Sequence, residues 1–433
     1  MNITPLYTSF LNATKVCTDT RKLEQGDLFF ALSGPNFDGN KFAQQALNMG
    51  ASAVVIDQLN LDLESENVFV VKNSLETLQA LATYHRQKLN TPLIALTGSN
   101  GKTTTKELIR EILAAKYKVL ATEGNLNNHI GVPLTLLKLK PHHQIGIIEM
   151  GANRPGEIAQ LSEITKPNWG YVTNFGKAHL EGFGSLQGVI QSKSELYKYL
   201  ISQKQNILIN GDDLEQVKQT QGHKITRFGH TQEADFHWEI LNTDEEGVRI
   251  QFQGNSYPSK LYGAYNRSNI AAALSFGALF NVSVEAAQKA LYNYVSKNNR
   301  SQKIKIHQTE YILDAYNANP TSMLAALEAF DQEKKLKKVV VLGDMMELGS
   351  TSAIEHQNIL DHCLDLSIER IITIGKQFYA SSNPNEKIDK YETLSAFMES
   401  FELVNWEFDQ VLIKGSRALE LEKLISFFKS QQN

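Results

Sequence analysis

The sequence predicts an α/β protein of three domains, each a mainly parallel sheet covered by helices. Three observations carry that expectation. Short apolar runs of strand length alternate with amphipathic helical stretches along the whole chain, which is the pattern of parallel sheets buried on both faces. The pattern is broken twice, at Asn90-Thr91-Pro92 and at the polar run 296–301. Finally, 433 residues exceed one ordinary domain, and about three is the expectation from length.

In the first block, 27–32, 53–56 and 68–71 read as strands, with helices over 42–49 and 75–88 and a turn at Gly34-Pro35. The second block opens with the apolar run 93–96. After Thr97-Gly98-Ser99-Asn100-Gly101-Lys102-Thr103-Thr104 a helix follows, because Leu108, Ile109, Ile112 and Leu113 recur at helical spacing. Further strands are expected at 145–148, 170–173 and 206–209, and a helix over 188–200. Alternation of Val248, Ile250 and Phe252 points to antiparallel strands within 235–262, followed by a helix over 268–279. The third block returns to the parallel pattern, with strands at 311–313, 339–342, 371–374 and 411–413 and a last helix over 419–429.

Composition narrows the function classes. Hydrophobic residues make up 42% and charged residues 21%, as in soluble globular proteins with substantial cores. A formal charge of −4 provides no general attraction to nucleic acid or to anionic membrane, so neither is expected as a partner. No run approaches the roughly 18 apolar residues of a membrane span. Residues 1–15 lack a basic stretch followed by an apolar one, so no secretory signal is expected. Cys17 and Cys363 form neither a disulfide framework nor a metal site. The expected location is the cytoplasm.

The strand, the two glycines, Lys102-Thr103 and the helix together make a phosphate cradle. Loop and helix N–H groups face the anion, the lysine adds charge, and the hydroxyl reaches Mg²⁺. Leu96 stands where the longer form of this motif has its first glycine, so the loop is the shorter Gly-x-x-Gly-Lys-Thr. Ligands of parallel sheets collect beyond the carboxyl ends of the strands, which directs attention to the polar residues there. Glu149 follows the run 145–148. Alone it reads as a loop residue or a helix cap; beside the glycine loop it reads as a partner of Thr103 on Mg²⁺. His179 lies in the loop after 170–173 and is either a structural hydrogen-bonder or a ligand. His142 and His143 read as surface residues. Lys193 shares a stripe with Ile190, Tyr197 and Leu200. Either it snorkels to solvent, or burial depresses its pKa and the neutral amine can take up CO₂ as a carbamate.

The string 97–104 with Glu149, His179 and Lys193 resembles the central domain of the Mur ligases, ATP-dependent enzymes that extend the UDP-linked precursor of bacterial cell wall. Within that family, Gly124-Asn125-Leu126-Asn127-Asn128-His129-Ile130-Gly131-Val132-Pro133 resembles the branch that adds D-alanyl-D-alanine. So do Asp314-Ala315-Tyr316-Asn317-Ala318-Asn319-Pro320-Thr321-Ser322-Met323, Gly343-Asp344-Met345-Met346-Glu347-Leu348-Gly349 and Lys414-Gly415-Ser416-Arg417. Thr18-Asp19-Thr20-Arg21 and Phe37-Asp38-Gly39 resemble its UDP-binding domain. The Asp-Asn-Pro-Arg motif of the diaminopimelate-adding branch is absent.

The resemblance implies a UDP-substrate-binding domain over 1–90, a central P-loop-type ATP-binding domain over 91–298 and a C-terminal Rossmann-like ligase domain over 299–433. It implies a monomer that uses ATP, Mg²⁺, UDP-MurNAc-tripeptide and D-alanyl-D-alanine and passes through an acyl phosphate. For the nucleotide it points to Gly98, Ser99, Asn100, Gly101, Lys102, Thr103, Thr104, Asn269, Arg300 and Asp314. Substrate contacts would fall to Thr20, Arg21, Asn128, Asn317 and Asn319. Catalysis would rest on Lys102, Glu149, His179 and Lys193, with Thr103 and Glu149 on one Mg²⁺ and His179 and carbamylated Lys193 on a second. Two positions depart from the family: Tyr265 stands where histidine usually precedes Asn266, and Asn299 where glycine often precedes Arg300. The residues alone also admit a nucleotide-binding scaffold without catalysis, or another amide ligase of the same family.

Overall fold

The computed structural model describes residues 2–431 apart from 60–62, 64–65, 232, 242–246, 383 and 403–405. The first block holds a parallel four-stranded sheet in the order Val16–Cys17, Leu28–Phe30, Ala53–Ile56, Val68–Val70. The strand expected over 27–32 shortens to Leu28–Phe30, since Leu32 N–H turns back to Phe30 O. The helix expected over 42–49 begins instead as a 3₁₀ turn, Gly39–Phe42, and continues as Ala43–Asn48.

The central sheet has nine strands. Leu93–Thr97 lies between Ile145–Glu149 and Trp169–Val172, with Val119–Ala121 at one edge. On the other side follow Asn206–Asn210, Thr226–Gly229 and Phe236–Ile240, all parallel, then the antiparallel pair Arg249–Phe252 and Asn255–Pro258. Strand order reverses at Leu93–Thr97, which makes its carboxyl end a topological switch point where a crevice opens. All five residues of that strand are buried. Leu108, Ile109, Ile112 and Leu113 of the helix Lys102–Ala114 are fully buried, as expected. That helix packs on the small-residue face of Asn266–Leu279; a Cβ on Gly277 would come within 2.7 Å of Ile112 Cγ2.

The expected helix over 188–200 is two helices, Leu186–Lys193 and Glu195–Ser202. They meet at Ser194, whose ψ of −10° opens the backbone ladder. Glu195 starts the second helix with its carboxylate on the amides of Gly156 and Ala159. Ile190, Lys193, Tyr197 and Leu200 nevertheless stay on one buried stripe across the break.

The third block is a six-stranded sheet. An antiparallel hairpin, Gln302–Ile306 with Thr309–Asp314, leads to parallel Gln410–Lys414, Lys338–Gly343, Arg370–Ile374 and Ile388–Tyr391. The last helix is shorter than expected, Lys423–Ser430, after a 3₁₀ turn at Arg417–Leu419. Among the described residues no helix is long and apolar enough to cross a membrane.

One buried cation joins the first block to the central one. Arg86, on helix Ser74–Lys88, donates to Thr165 O (3.2 Å), Leu89 O (2.8 Å), Lys166 O (3.2 Å) and Asn168 Oδ1 (2.9 Å). The same Asn168 oxygen accepts from Leu93 N–H at 2.9 Å, so the clamp reaches the start of the central strand. Arg86→Ala leaves these acceptors without their donor and is expected to cost about 2–3 kcal/mol. A urea midpoint that does not fall would show that the clamp contributes nothing.

Candidate active site

The loop after Leu93–Thr97 can only be built with its glycines. Gly98 has φ +143°, and a Cβ there would lie 2.0 Å from Thr173 Oγ1. Gly101 has φ +78°, and a Cβ there would lie 2.8 Å from Asn269 Oδ1. The loop is pinned from the neighbouring strand end. Ser99 Oγ donates to Gly176 O and accepts from Gly176 N–H, both at 2.9 Å. Asn174 Oδ1 accepts from Asn100 N–H at 3.0 Å, and Thr173 Oγ1 donates to Asn100 O at 2.5 Å. Lys102 folds back onto Gly98 O (2.7 Å) and Ser99 O (3.0 Å). Burial pushes its amine down to about 8, against the pull of Glu149 and with a further push from Arg300.

Glu149 ends its strand beside the loop, and Thr103 Oγ1 donates to its Oε1 at 3.2 Å. Asn127 Nδ2 donates to the same oxygen at 2.8 Å. Oε2 is buried without a hydrogen-bond partner, 3.9 Å from Lys106 Nζ. A hydroxyl beside a carboxylate is a donor set suited to a hard cation such as Mg²⁺. Among the described residues no group of three His, Cys, Asp and Glu side chains gathers for a metal.

His179 begins the short helix Leu180–Phe183 from a left-handed backbone, φ +53°. Its Nδ1 lies 2.5 Å from Glu347 Oε2, and Glu181 N–H donates to Glu347 O at 3.0 Å. Lys193 is 1% exposed and donates to Ala152 O at 3.1 Å, with Nζ 5.1 Å from the centre of the Phe183 ring. It does not snorkel. Burial first, then the Lys102 charge, hold its amine well below the ordinary lysine range.

The third block closes the crevice. Asn319 caps the helix Pro320–Asp331 and faces the loop through paired amides, Asn319 Nδ2 to Asn100 Oδ1 at 2.7 Å and Asn100 Nδ2 to Asn319 Oδ1 at 3.3 Å. Lys177 Nζ meets Glu355 Oε1 at 2.6 Å. Arg300 lays its guanidinium on the Tyr316 ring, 3.6 Å from the centroid. Asp314 accepts from Ser301 N–H at 3.0 Å and pairs with Lys414 Nζ at 2.5 Å. The resulting cavity, about 680 Å³, is lined by residues 99–104 of the loop, Glu149, His179, Asn128 and Asn269, by Arg300 of the run 296–301, and by Asp314, Asn317 and Asn319 of the third block.

Family models match along nearly the whole chain: Mur ligase family, catalytic domain, at 12–86; Mur ligase middle domain at 96–277; and Mur ligase, glutamate ligase domain, at 299–417. The chain belongs to the Mur ligase family. A UDP-N-acetylmuramoyl-tripeptide–D-alanyl-D-alanine ligase of Bacillus subtilis is 34% identical, over 95% of this chain and 92% of the relative. The Escherichia coli ligase of the same name is also 34% identical, with the same shares. Among solved structures, MurF from Acinetobacter baumannii superposes with a TM-score of 0.88 at 29% identity, covering 99% of this chain and 98% of that one. MurF ligase from Thermotoga maritima in complex with ADP gives 0.86 at 26% identity, covering 97% and 98%.

Not every expected site residue of this Mur ligase reaches the cavity. Gly98 supports the loop and Lys193 stands outside the lining; neither is among the lining residues. Thr20 and Arg21 sit in the first block, in the 3₁₀ turn Thr20–Lys22, with Arg21 exposed and paired with Asp19 at 2.8 Å. Asn128 reaches the cavity, but its Oδ1 also accepts from Ile130 and Gly131 N–H where the next helix begins.

Sequence reasoning missed Lys106. It is fully buried, donating to Thr122 O at 2.5 Å and pairing with Glu107 at 2.8 Å behind Glu149. The signal was the one that marked Lys193, a lysine on an apolar stripe, here with Ile109 and Leu113 at i+3 and i+7. Lys106→Ala would leave Glu149 buried without its neighbouring cation, at a cost of about 3–5 kcal/mol. Thermal unfolding reads this directly, and an unchanged melting temperature would remove Lys106 from the supports of Glu149.

Proposed function

We propose that this chain joins D-alanyl-D-alanine to UDP-MurNAc-tripeptide at the expense of ATP, through an acyl phosphate, in cytoplasmic synthesis of the peptidoglycan precursor. One observation carries the reading. The glycine loop and Glu149 of one block and Asn317 and Asn319 of another line a single cavity, in a chain that matches D-alanyl-D-alanine-adding relatives over almost its full length. In this reading residues 1–90 hold the UDP end of the substrate, with Thr20 and Arg21 as contacts. Residues 91–298 hold ATP, and residues 299–433 bring in the accepting dipeptide.

The first step joins two anions, the tripeptide carboxylate and the γ-phosphate of ATP. Charge neutralisation and in-line positioning therefore decide its rate. The loop amides and Lys102 hold the β- and γ-phosphates, and Lys102 exchanges its carbonyl contacts for phosphate oxygens. Arg300 adds a second cation from the run 296–301, while Asn269 and Asp314 face the nucleoside. Thr103 and Glu149 would hold one Mg²⁺, and His179 with carbamylated Lys193 a second, to supply further neutralisation of phosphate charge. The carboxylate oxygen attacks phosphorus and ADP leaves. The dipeptide amine then attacks the acyl carbon, loses a proton, and inorganic phosphate departs. A docked third block excludes the water that would hydrolyse the acyl phosphate.

The deciding assay is ADP release that requires both UDP-MurNAc-tripeptide and D-alanyl-D-alanine. Lys102→Ala should abolish it, because the charge nearest the transferring phosphoryl is lost. Equal turnover with diaminopimelate or glutamate as acceptor would defeat the proposal. Lys193→Ala should be nearly inactive and partly restored by acetate, which returns a carboxylate to the space the carbamate would fill. A folded variant that acetate never restores would count against the carbamate.

A further inference from the structure

Tyr265 immediately precedes the helix Asn266–Leu279, and the structure gives its hydroxyl a partner. Its hydroxyl lies 2.6 Å from Ser301 Oγ, across the seam between the central block and the third. Ser301 in turn donates to Asp314 Oδ1, from its backbone N–H at 3.0 Å and from its hydroxyl at 3.4 Å. Because a carboxylate can only accept, the direction of the relay is set: Tyr265 O–H to Ser301 Oγ, and Ser301 O–H to Asp314. The other oxygen of Asp314 is taken by Lys414 Nζ at 2.5 Å.

Two further features give this relay mechanical weight. The Tyr265 ring lies against Gly263, where a Cβ would approach it to 2.3 Å, so the hydroxyl is aimed by close packing. On the far side, Ser301 belongs to a linker bent through left-handed residues, Asn298 (φ +60°), Asn299 (φ +57°) and Ser301 itself (φ +49°). Backbone in this region persists only where surrounding contacts hold it. Arg300, which lines the cavity from the middle of this bend, is carried by the same contacts.

We propose that Tyr265 is a positioning residue for the nucleotide: its hydroxyl, through Ser301, sets the Asp314 carboxylate and the Arg300 segment across the seam. The nucleotide half of the cavity is then complete only when the third block is docked. Tyrosine reaches across the seam with a hydroxyl and couples docking to nucleotide affinity. The inference rests on the reading that Asp314 and Arg300 face the nucleotide.

The test is ADP binding by titration calorimetry to the full chain and to Tyr265→Phe, Ser301→Ala and the double variant, with steady-state kinetics alongside. Each single variant should weaken ADP by about three- to tenfold, the effect of one hydrogen bond. The double variant should be no weaker than the poorer single one, because both break the same relay. The KM for D-alanyl-D-alanine should not move. Unchanged ADP affinity in folded Tyr265→Phe overturns the proposal, as do losses that multiply in the double variant. A fall in kcat with unaltered ADP affinity marks a merely structural tyrosine and overturns it as well. If Tyr265→Phe fails to fold, Ser301→Ala, which removes a single oxygen, decides alone. A wild-type chain that does not bind ADP would instead overturn the nucleotide reading, and the relay with it.

Discussion

The structure depends on one backbone constraint: a tight glycine loop at the buried carboxyl end of a central strand. Gly98 and Gly101 permit it, and Thr173 and Asn269 close the space where any side chain would go. Pinning comes from the adjacent strand end through Ser99, Asn100, Thr173 and Asn174. Preorganised N–H groups need no rearrangement as charge develops, which is where such a site gains its advantage over water.

Around that loop the structure gathers more positive charge than the surface charge balance suggests. The chain carries a net −4, yet Lys102, Lys106, Lys193 and Arg300 all lie at or just behind the cavity. Their surroundings separate their tasks. Lys106 stays with Glu107 and Glu149, and Arg300 is stacked on Tyr316. Lys193, buried beside another cation, is pushed toward the neutral amine, the only form that reacts with CO₂. Lys102, also depressed by burial, lies on the carbonyls of Gly98 and Ser99.

Polar pairs cross the seam between the central and third blocks beside an apolar cluster that includes Leu180, Phe183, Met345 and Leu348. Paired amides at Asn100 and Asn319, the ion pair Lys177–Glu355, the close His179–Glu347 contact and the Tyr265–Ser301 hydrogen bond fasten it. By contrast, the first block is anchored through the buried guanidinium of Arg86.

Much of this was legible in the chain itself. Period-two and period-3.6 patterns marked most strands and helices, the glycine spacing marked the loop, and the strand-end rule picked out Glu149 and His179. Lys193 was visible because an apolar stripe makes a lysine conspicuous, and the burial that stripe implied is what the structure shows. Short edge strands such as Val16–Cys17 and Val119–Ala121 were not, since two or three residues carry no period. Nor was the break at Ser194, where both halves keep the same stripe. The pairings that complete the cavity were invisible for a different reason. Asn100 with Asn319, Arg86 with Asn168, and Tyr265 with Ser301 join residues whose separation along the chain leaves no periodic trace. Local pattern determined the elements and the reacting groups they carry; only the packing of three sheets decided which of those groups meet.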